Sequence, residues 1–267
     1  MQCDKLTYLE IEQIKFLQPD GWPDITDAFR FYCDNDYCNP IKVSLDGKIV
    51  GIGNSITFET TAWLSHIIVS NDIRNQGIGS KIVDYLQNEI KEKGIETSLL
   101  IATELGAPVY KKAGFRKISD YRYFKKENDL IEKDLSKNIQ PYKDAFYKDL
   151  MELDYYVSGE HRERLLKNYL NESFIFINNN IIQGLFIPKL GEGPIYALTP
   201  DAGKELMRFK YSSVDKATLP GENKAGIEFI KEFGFIETNT IGKRMICGHD
   251  IEWKPTMIYS RIGGNFG

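Results

Sequence analysis

Along the first 124 residues the spacing of apolar positions changes in a definite order. Residues 24–32 (DITDAFRFY) put Ile25, Ala28, Phe29 and Tyr32 at the spacing of one helical face. Residues 40–59 (PIKVSLDGKIVGIGNSITFE) read as two strands around Asp46-Gly47, a pair that favours a tight hairpin turn. Residues 61–70 (TAWLSHIIVS) form a third strand, apolar enough to lie inside a sheet. From Gly77 the period becomes helical, with Ile78, Ile82, Leu86 and Ile90 on one stripe and Gly94 as a stop signal. A buried strand follows at 96–103 (ETSLLIAT), and then a short helix at 106–115 (GAPVYKKAGF). Pro108 sits in its first turn, where a missing N–H does no harm. Residues 115–124 (FRKISDYRYF) make a last strand. Two buried strands joined through a helix imply a crossover and parallel pairing, while the front of the chain is hairpin. Residues 1–124 therefore predict one complete α/β unit of α+β character with a mixed sheet. They are too short and too rich in hairpins for a doubly wound nucleotide fold.

The pattern then breaks. Residues 125–140 (KKENDLIEKDLSKNIQ) are highly charged and poor in large apolar groups, which predicts a linker or an exposed strand pair. Residues 141–267 resume the periodicity. A long helix is expected at 161–170 (HRERLLKNYL) and a hairpin at 173–188 turning at residues 178–180, after which comes GPIYAL at 193–198. Helices follow at 201–209 (DAGKELMRF) and 222–235 (ENKAGIEFIKEFGF). This order echoes the first half, and YKKAGF at 110–115 and IKEFGF at 230–235 occupy equivalent places. Two copies of one fold is the economical reading.

Composition narrows the class without naming it. The 267 residues are 42% hydrophobic and 27% charged, enough to bury a core. No apolar stretch approaches the ~20 residues of a membrane helix. The opening MQCDKLTYLE shows neither a basic nor an apolar leader region. Cys3, Cys33, Cys38 and Cys247 have no C-x-x-C spacing, so reduced thiols in the cytoplasm are expected, with no metal site. A net charge of −4, with lysines interleaved among acids, argues against bulk binding of nucleic acid.

One stretch calls for a chemical explanation. Arg74-Asn75-Gln76-Gly77-Ile78-Gly79-Ser80 stands at the mouth of the helix, and glycine costs a helix about 1 kcal/mol relative to alanine. A helix start leaves its first amide N–H groups unpaired and carries partial positive charge. Without Cβ atoms in the way, a phosphate can approach that backbone closely, and Arg74 adds a fixed charge. The segment is therefore suited to a phosphate or pyrophosphate. It is not a P-loop, because no G-K-[ST] follows, and it does not sit at a first strand as a dinucleotide G-x-G-x-x-G does.

This R-x-x-G-x-G after a buried strand, followed by strand, short helix and YKKAGF, resembles the GNAT superfamily of acyl-CoA-dependent N-acetyltransferases. The stretches LDYYVSGEHRERLL and LPGENKAGIEFIKEFGF resemble the degenerate second GNAT-like domain of a bacterial subgroup. The resemblance implies two tandem GNAT-like domains, a catalytic one at 1–124 and a degenerate one at 141–267, joined by the 125–140 linker. It further implies acetyl-CoA as co-substrate, with its pantetheine arm along Ile67, Ile68 and Val69. The pyrophosphate would lie on Arg74, Asn75, Gln76, Gly77, Ile78, Gly79 and Ser80. Tyr110 matches the tyrosine that protonates the departing CoA thiolate, a step a phenol of pKa about 10 can perform. Where many relatives hold the cofactor with asparagine this chain has Ala102-Thr103-Glu104, so Thr103 is the candidate there. Where several relatives carry a catalytic Glu or His it has Trp63, which accepts no proton.

The general base is open among Glu59, taken to lie on the preceding strand, His66, and a water chain to a distant carboxylate. By strict alternation His66 shares a face with Leu64 and Ile68 and points away from the amine. Aromatics at 29–39 suit either a core or the edge of an acceptor pocket, with Asp34 and Asp36 available to a cationic amine. In the second half, Thr199-Pro200-Asp201 replaces the phosphate loop and Ile230 replaces the tyrosine, so that copy is expected to be structural or to shape the substrate site. The expected activity is transfer of an acetyl group to a primary amine, most simply of a small molecule. The alternative is an acyl-CoA-binding regulatory pseudoenzyme without turnover. No nucleic acid or membrane partner is expected, and a homodimer is left open.

Overall fold

A computed structural model describes residues 2–127 and 136–267. Part of the expected linker, residues 128–135, lies outside the described residues. Contacts divide the chain into two compact units. The first comprises Met1–Lys117, Met245–Asp250 and Gly264–Phe266, and the second comprises Ile118–Arg244, Ile251–Gly263 and Gly267.

The first unit opens with strand β1 (Gln2–Lys5) and a 3-10 helix (Tyr8–Leu17), neither of them expected from the sequence. Ile11, Ile14 and Leu17 are its buried side chains, and that three-residue spacing suits the three-residue turn of a 3-10 helix. Helix α1 (Ile25–Asp34) is capped by Asp24, whose side chain accepts the Thr26 N–H at 2.8 Å. Strands β2 (Cys38–Leu45) and β3 (Lys48–Thr57) form the predicted hairpin, with Asp46 at φ 50° and Gly47 at φ 76°. Strand β4 (Thr61–Val69), helix α2 (Ile78–Glu92), strand β5 (Thr97–Ala102) and helix α3 (Ala107–Lys112) follow. The strands lie in the order β1-β2-β3-β4-β5, and only the β4–β5 pair is parallel. Helix α2 packs its Ile78, Ile82, Val83, Leu86 and Ile90 against β3 and β4. Its approach is close enough that a Cβ at Gly53 would stand 2.6 Å from Ile82 Cγ2.

The second unit repeats this order. Strand β6 (Arg116–Lys126) leads in, followed by β7 (Ile139–Pro141), α4 (Tyr147–Ser158) and α5 (Glu163–Leu166). Next come β8 (Phe174–Asn178), β9 (Ile181–Phe186), β10 (Ile195–Ala197) and α6 (Pro200–Tyr211). The chain ends with β11 (Lys216–Pro220), α7 (Lys224–Glu232), β12 (Phe235–Cys247) and β13 (Ile258–Ser260). The β8–β9 turn falls at Asn179 and Asn180, both at positive φ. The helix expected at 161–170 is only one turn long, and the long helix lies upstream as α4. Gly159, left-handed at φ 71°, stops α4, and Arg162 then turns inward to meet buried Asp154 and the Tyr196 hydroxyl. The core gathers Phe176, Leu206, Met207, Tyr211 and Phe235.

The final strand of each copy crosses the division of the units. From Ile118 onward β6 belongs to the second unit, where it pairs antiparallel with β11. Met245 to Cys247, the end of β12, belong to the first unit, and β12 is the neighbour of β5. Among the described residues no helix is long and apolar enough to cross a membrane.

Candidate active site

Strands β4 and β5 pair only at Thr61↔Thr97, Ala62↔Ser98 and Trp63↔Leu99. Beyond Trp63 the two strands part, which leaves one edge of β4 without a partner strand among the described residues. Ser70 N–H donates to Val50 O at 2.9 Å while Gly51 and Val69 stand opposite each other. In an antiparallel ladder that arrangement turns Val69's own N–H and C=O away from β3, toward the opening. Ile67 and Val69 pack toward α2, and Ile68 is buried.

The glycine loop lies at the end of this open edge. Asn75 (φ 64°) and Gly77 (φ 80°) are both left-handed, and Gly77 serves as N-cap of α2 without any side-chain cap. The helix's first backbone bond runs from Lys81 N–H to Gly77 O, so the amides of residues 78–80 point out of the helix start. No acidic residue stands in that first turn. Arg74, Asn75, Gln76 and Gly77 are exposed, and Arg74 Nε donates to Val69 O at 3.2 Å. Gly77 has a conformational reason to be glycine. Gly79 has none in the protein, because a Cβ there would meet only Val69 Cγ2, at 3.9 Å.

Tyr110 stands on α3, half-buried, with its ring edge-on to Phe115. Burial pushes its phenol up to about 12, so it keeps its proton throughout the neutral range. Thr103 is exposed and accepts the Gly106 N–H at 3.2 Å, which opens the turn into α3. Trp63 is fully buried.

Two expectations about the base change. Glu59 is not on the preceding strand: β3 ends at Thr57, and Glu59 sits in the exposed bend before β4, at the end away from the opening. His66 does not face away. The register slips by one between Ile52↔Ile68 and Asn54↔Ser65, so His66 and Ile67 share one opposing residue, Gly53. This β-bulge holds His66 at φ 48° and moves its ring to the α1 side, the side of Ser65. There the imidazole lies edge-on to Trp22, Phe29 and Tyr32, with centroids 5.6 to 6.0 Å away. Burial among these rings lowers its pKa to about 4.

Composition and motifs gave no sign of the polar chain behind this ring. Asn54 Nδ2 donates to Ser65 Oγ at 3.1 Å, and Ser65 Oγ to the Tyr32 hydroxyl at 3.4 Å. Asn265 Nδ2 also donates to that hydroxyl, at 3.0 Å, and the hydroxyl lies 2.8 Å from His66 Nδ1. The phenol of Tyr32 is fully buried, which raises its pKa and keeps it protonated. Asp34, the last residue of α1, and Asp36, just beyond it, are both exposed.

The second unit lacks these features at the matching points. Thr199 and Asn223 cap α6 and α7 with their own side chains, and Ile230 is a core residue. A cavity of about 360 Å³ lies between those helix starts and Tyr259.

Comparison with known proteins agrees with this picture. The family profile of the acetyltransferase (GNAT) domain matches residues 31–117. A Bacillus subtilis protein provisionally named an acetyltransferase is 30% identical over 118 residues, which are 44% of this chain and 80% of that protein. A Pyrococcus horikoshii structure, also provisionally named an acetyltransferase, resembles 100% of this chain over 95% of its own at TM-score 0.84 and 22% identity. A tandem GNAT protein from the clavulanic acid biosynthesis pathway resembles 92% of this chain over 98% of its own at TM-score 0.61 and 10% identity. At those identities the two structures speak for the fold, a mixed α/β arrangement of two GNAT-like halves in tandem.

Proposed function

The chain belongs to the GNAT acetyltransferase family, and from that premise we propose that it moves an acetyl group from acetyl-CoA to the primary amine of a small molecule. The observation that carries this reading is the parting of β4 from β5 beside an uncapped, glycine-bearing helix start. The same features support acetyl-CoA as the ligand. An unpaired strand edge suits an amide-bearing arm, outward amides and Arg74 suit a pyrophosphate, and Gly79 leaves room that the fold itself does not need.

Acetyl-CoA supplies a thioester, an acyl carbon open to attack by a free amine. In this reading Ile67, Ile68 and Val69 hold the arm through backbone groups, and the outward N–H of Val69 steadies the developing oxyanion. Residues 74–80 cradle the phosphates, and Thr103 adds a hydroxyl. Tyr110 gives its proton to the leaving thiolate, for which its protonated state at neutral pH is a requirement. The amine's proton leaves to water, since Glu59 lies at the wrong end of β4. The second half takes a structural or substrate-shaping part, since its helix starts are capped by their own side chains. The domain division at 1–124 and 141–267, and a cytoplasmic location for a chain whose four cysteines form no disulfide among the described residues, belong to the same reading.

The test is a thermal-shift titration with acetyl-CoA on the wild type and on Gly77→Asp, followed by thiol detection with a panel of primary amines. A saturable shift that Gly77→Asp abolishes, with thiol release for at least one amine, is the expected result. No shift at millimolar acetyl-CoA refutes the cofactor site. A shift without thiol release for any amine favours the regulatory pseudoenzyme.

A further inference from the structure

The polar chain around the bulge has a direction. Asn54 donates to Ser65, Ser65 donates to Tyr32, and Asn265 donates to Tyr32 as well. A phenol has one proton. With two donors already directed at its oxygen, Tyr32 sends that proton to its remaining neighbour, His66 Nδ1 at 2.8 Å. Nδ1 is then an acceptor, and in a neutral imidazole the proton must be on Nε2. Trp22 and Phe29, the other rings against His66, have nothing to titrate.

The backbone is arranged to hold this ring in place. His66 occupies a left-handed conformation that disfavours a side-chain-bearing residue, at the extra residue of a bulge. The bulge lies three residues past Trp63, the last residue paired with β5, and so on the part of β4 beside the opening. Trp22 reaches the ring from a turn tied down by Gln18, whose Nε2 donates to the carbonyls of Pro19, Trp22 and Pro23 while Oε1 accepts the Ile25 N–H. Asn54, through Ser65, and Asn265 thus converge on the Tyr32 hydroxyl, and that hydroxyl alone among them meets the imidazole, at Nδ1.

We propose that His66 is a hydrogen-bond donor to the acceptor substrate: its Nε2–H, fixed in that tautomer through Tyr32, receives an oxygen atom carried by the amine. The preferred acceptors are amines that bear a carbonyl or hydroxyl oxygen near the nitrogen and an apolar or aromatic portion for the Trp22 side. A ring that already carries a proton on Nε2 cannot take one from the amine there. His66 therefore selects the substrate and does not deprotonate it. Lowering of its pKa by burial agrees, because it keeps the ring uncharged at neutral pH. Tyr32, Ser65, Asn54 and Asn265 are positioning residues that act through His66. This inference rests on the transferase reading above, which supplies the amine.

Two measurements on the full chain test it. The three histidines are labelled with nitrogen-15 and observed by long-range proton–nitrogen NMR at pH 7, with His66→Gln assigning the signal. The expected spectrum shows a neutral Nε2–H ring in wild type and a mixture of tautomers in Tyr32→Phe. Thiol release from acetyl-CoA is then compared for phenylalaninamide and 2-phenylethylamine, which differ in the carboxamide that brings the oxygen. Wild type should favour phenylalaninamide in kcat/KM. His66→Phe should lose about tenfold of that preference, and His66→Gln, which keeps an N–H donor, should retain most of it. A proton found on Nδ1, or a charged ring at pH 7, overturns the assignment whatever the turnover. So does an unchanged preference in His66→Phe, or an equal loss in His66→Gln. If acetyl-CoA still binds but neither amine is turned over by wild type, the transferase reading fails for this class of acceptor and the proposal falls with it.

Discussion

Replacing Gly79 by alanine separates a glycine kept for the fold from one kept for a ligand. The residue is the second of α2 and its φ is not in the left-handed region. A methyl group there meets Val69 Cγ2 at 3.9 Å, an ordinary contact, and nothing else within 4 Å. Nothing among the described residues opposes the change, and alanine gains up to about 1 kcal/mol over glycine in a helix, less in a first turn. The free protein should therefore melt higher, by about 2–4 °C for each kcal/mol at this size. The ligand should respond in the opposite sense. At ~100 times its dissociation constant acetyl-CoA adds about 2.7 kcal/mol to the wild type. A tenfold loss of affinity from a Cβ against the pyrophosphate would reduce that increment to about 1.4 kcal/mol. Differential scanning fluorimetry with and without acetyl-CoA reads both effects from one sample series. Two results would refute the reasoning. A lower melting point for the free variant would mean the fold needs this glycine, and an unchanged ligand increment would mean no phosphate lies over the helix start.

Other consequences can be checked with standard assays. If Tyr110 protonates the leaving thiolate as proposed, Tyr110→Phe should lower kcat by about 100-fold or more with little change in KM; steady-state thiol release measures it, and an equal rise in KM would point to a binding role. Glu10, hydrogen-bonded to Lys42 and to Thr7, has its carboxyl lowered to about 2. Its folded pKa lies below the ordinary 4.5, so the stability it contributes is present above pH 4.5 and is lost as pH falls toward 2. Glu10→Gln should thus be less stable than wild type by on the order of 1 kcal/mol at pH 7, with the two denaturation curves converging near pH 2. In the second unit, Arg162→Ala should cost about 3–5 kcal/mol in urea unfolding, because it strands the buried Asp154 carboxylate. The double variant Asp154→Leu/Arg162→Met should recover much of that loss.

Periodic segments were readable and departures from periodicity were not. The stripe Ile78, Ile82, Leu86 and Ile90, the Asp46-Gly47 turn and the glycine loop all carry local signals, and each stands where those signals put it. The 3-10 helix at the start was missed because a three-residue spacing of Ile11, Ile14 and Leu17 fits neither a strand nor an α-helix template. Residues 161–170 look helical, yet Gly159 and the inward turn of Arg162 spend most of that segment on an ion pair. The misreading of His66 has the same origin. Alternation assigns faces by counting, and a single bulge residue reverses the count for everything beyond it. Nothing local announces that bulge, since its support comes from Tyr32 on α1 and from Asn265, 233 residues further along the chain.

That distance has a consequence in time. The first unit includes Met245–Asp250 and Gly264–Phe266, so its sheet edge and the asparagine that orients Tyr32 leave the ribosome well after the rest of that unit. At about 5–20 residues per second, the stretch from Lys117 to Gly264 takes roughly 7–30 s to synthesise. During that interval β5 waits with an unpaired edge, a template open to any passing strand. The nascent chain is thus at its most vulnerable to misassembly in its first unit. Closure of the first unit waits on segments made more than a hundred residues after the strands they complete.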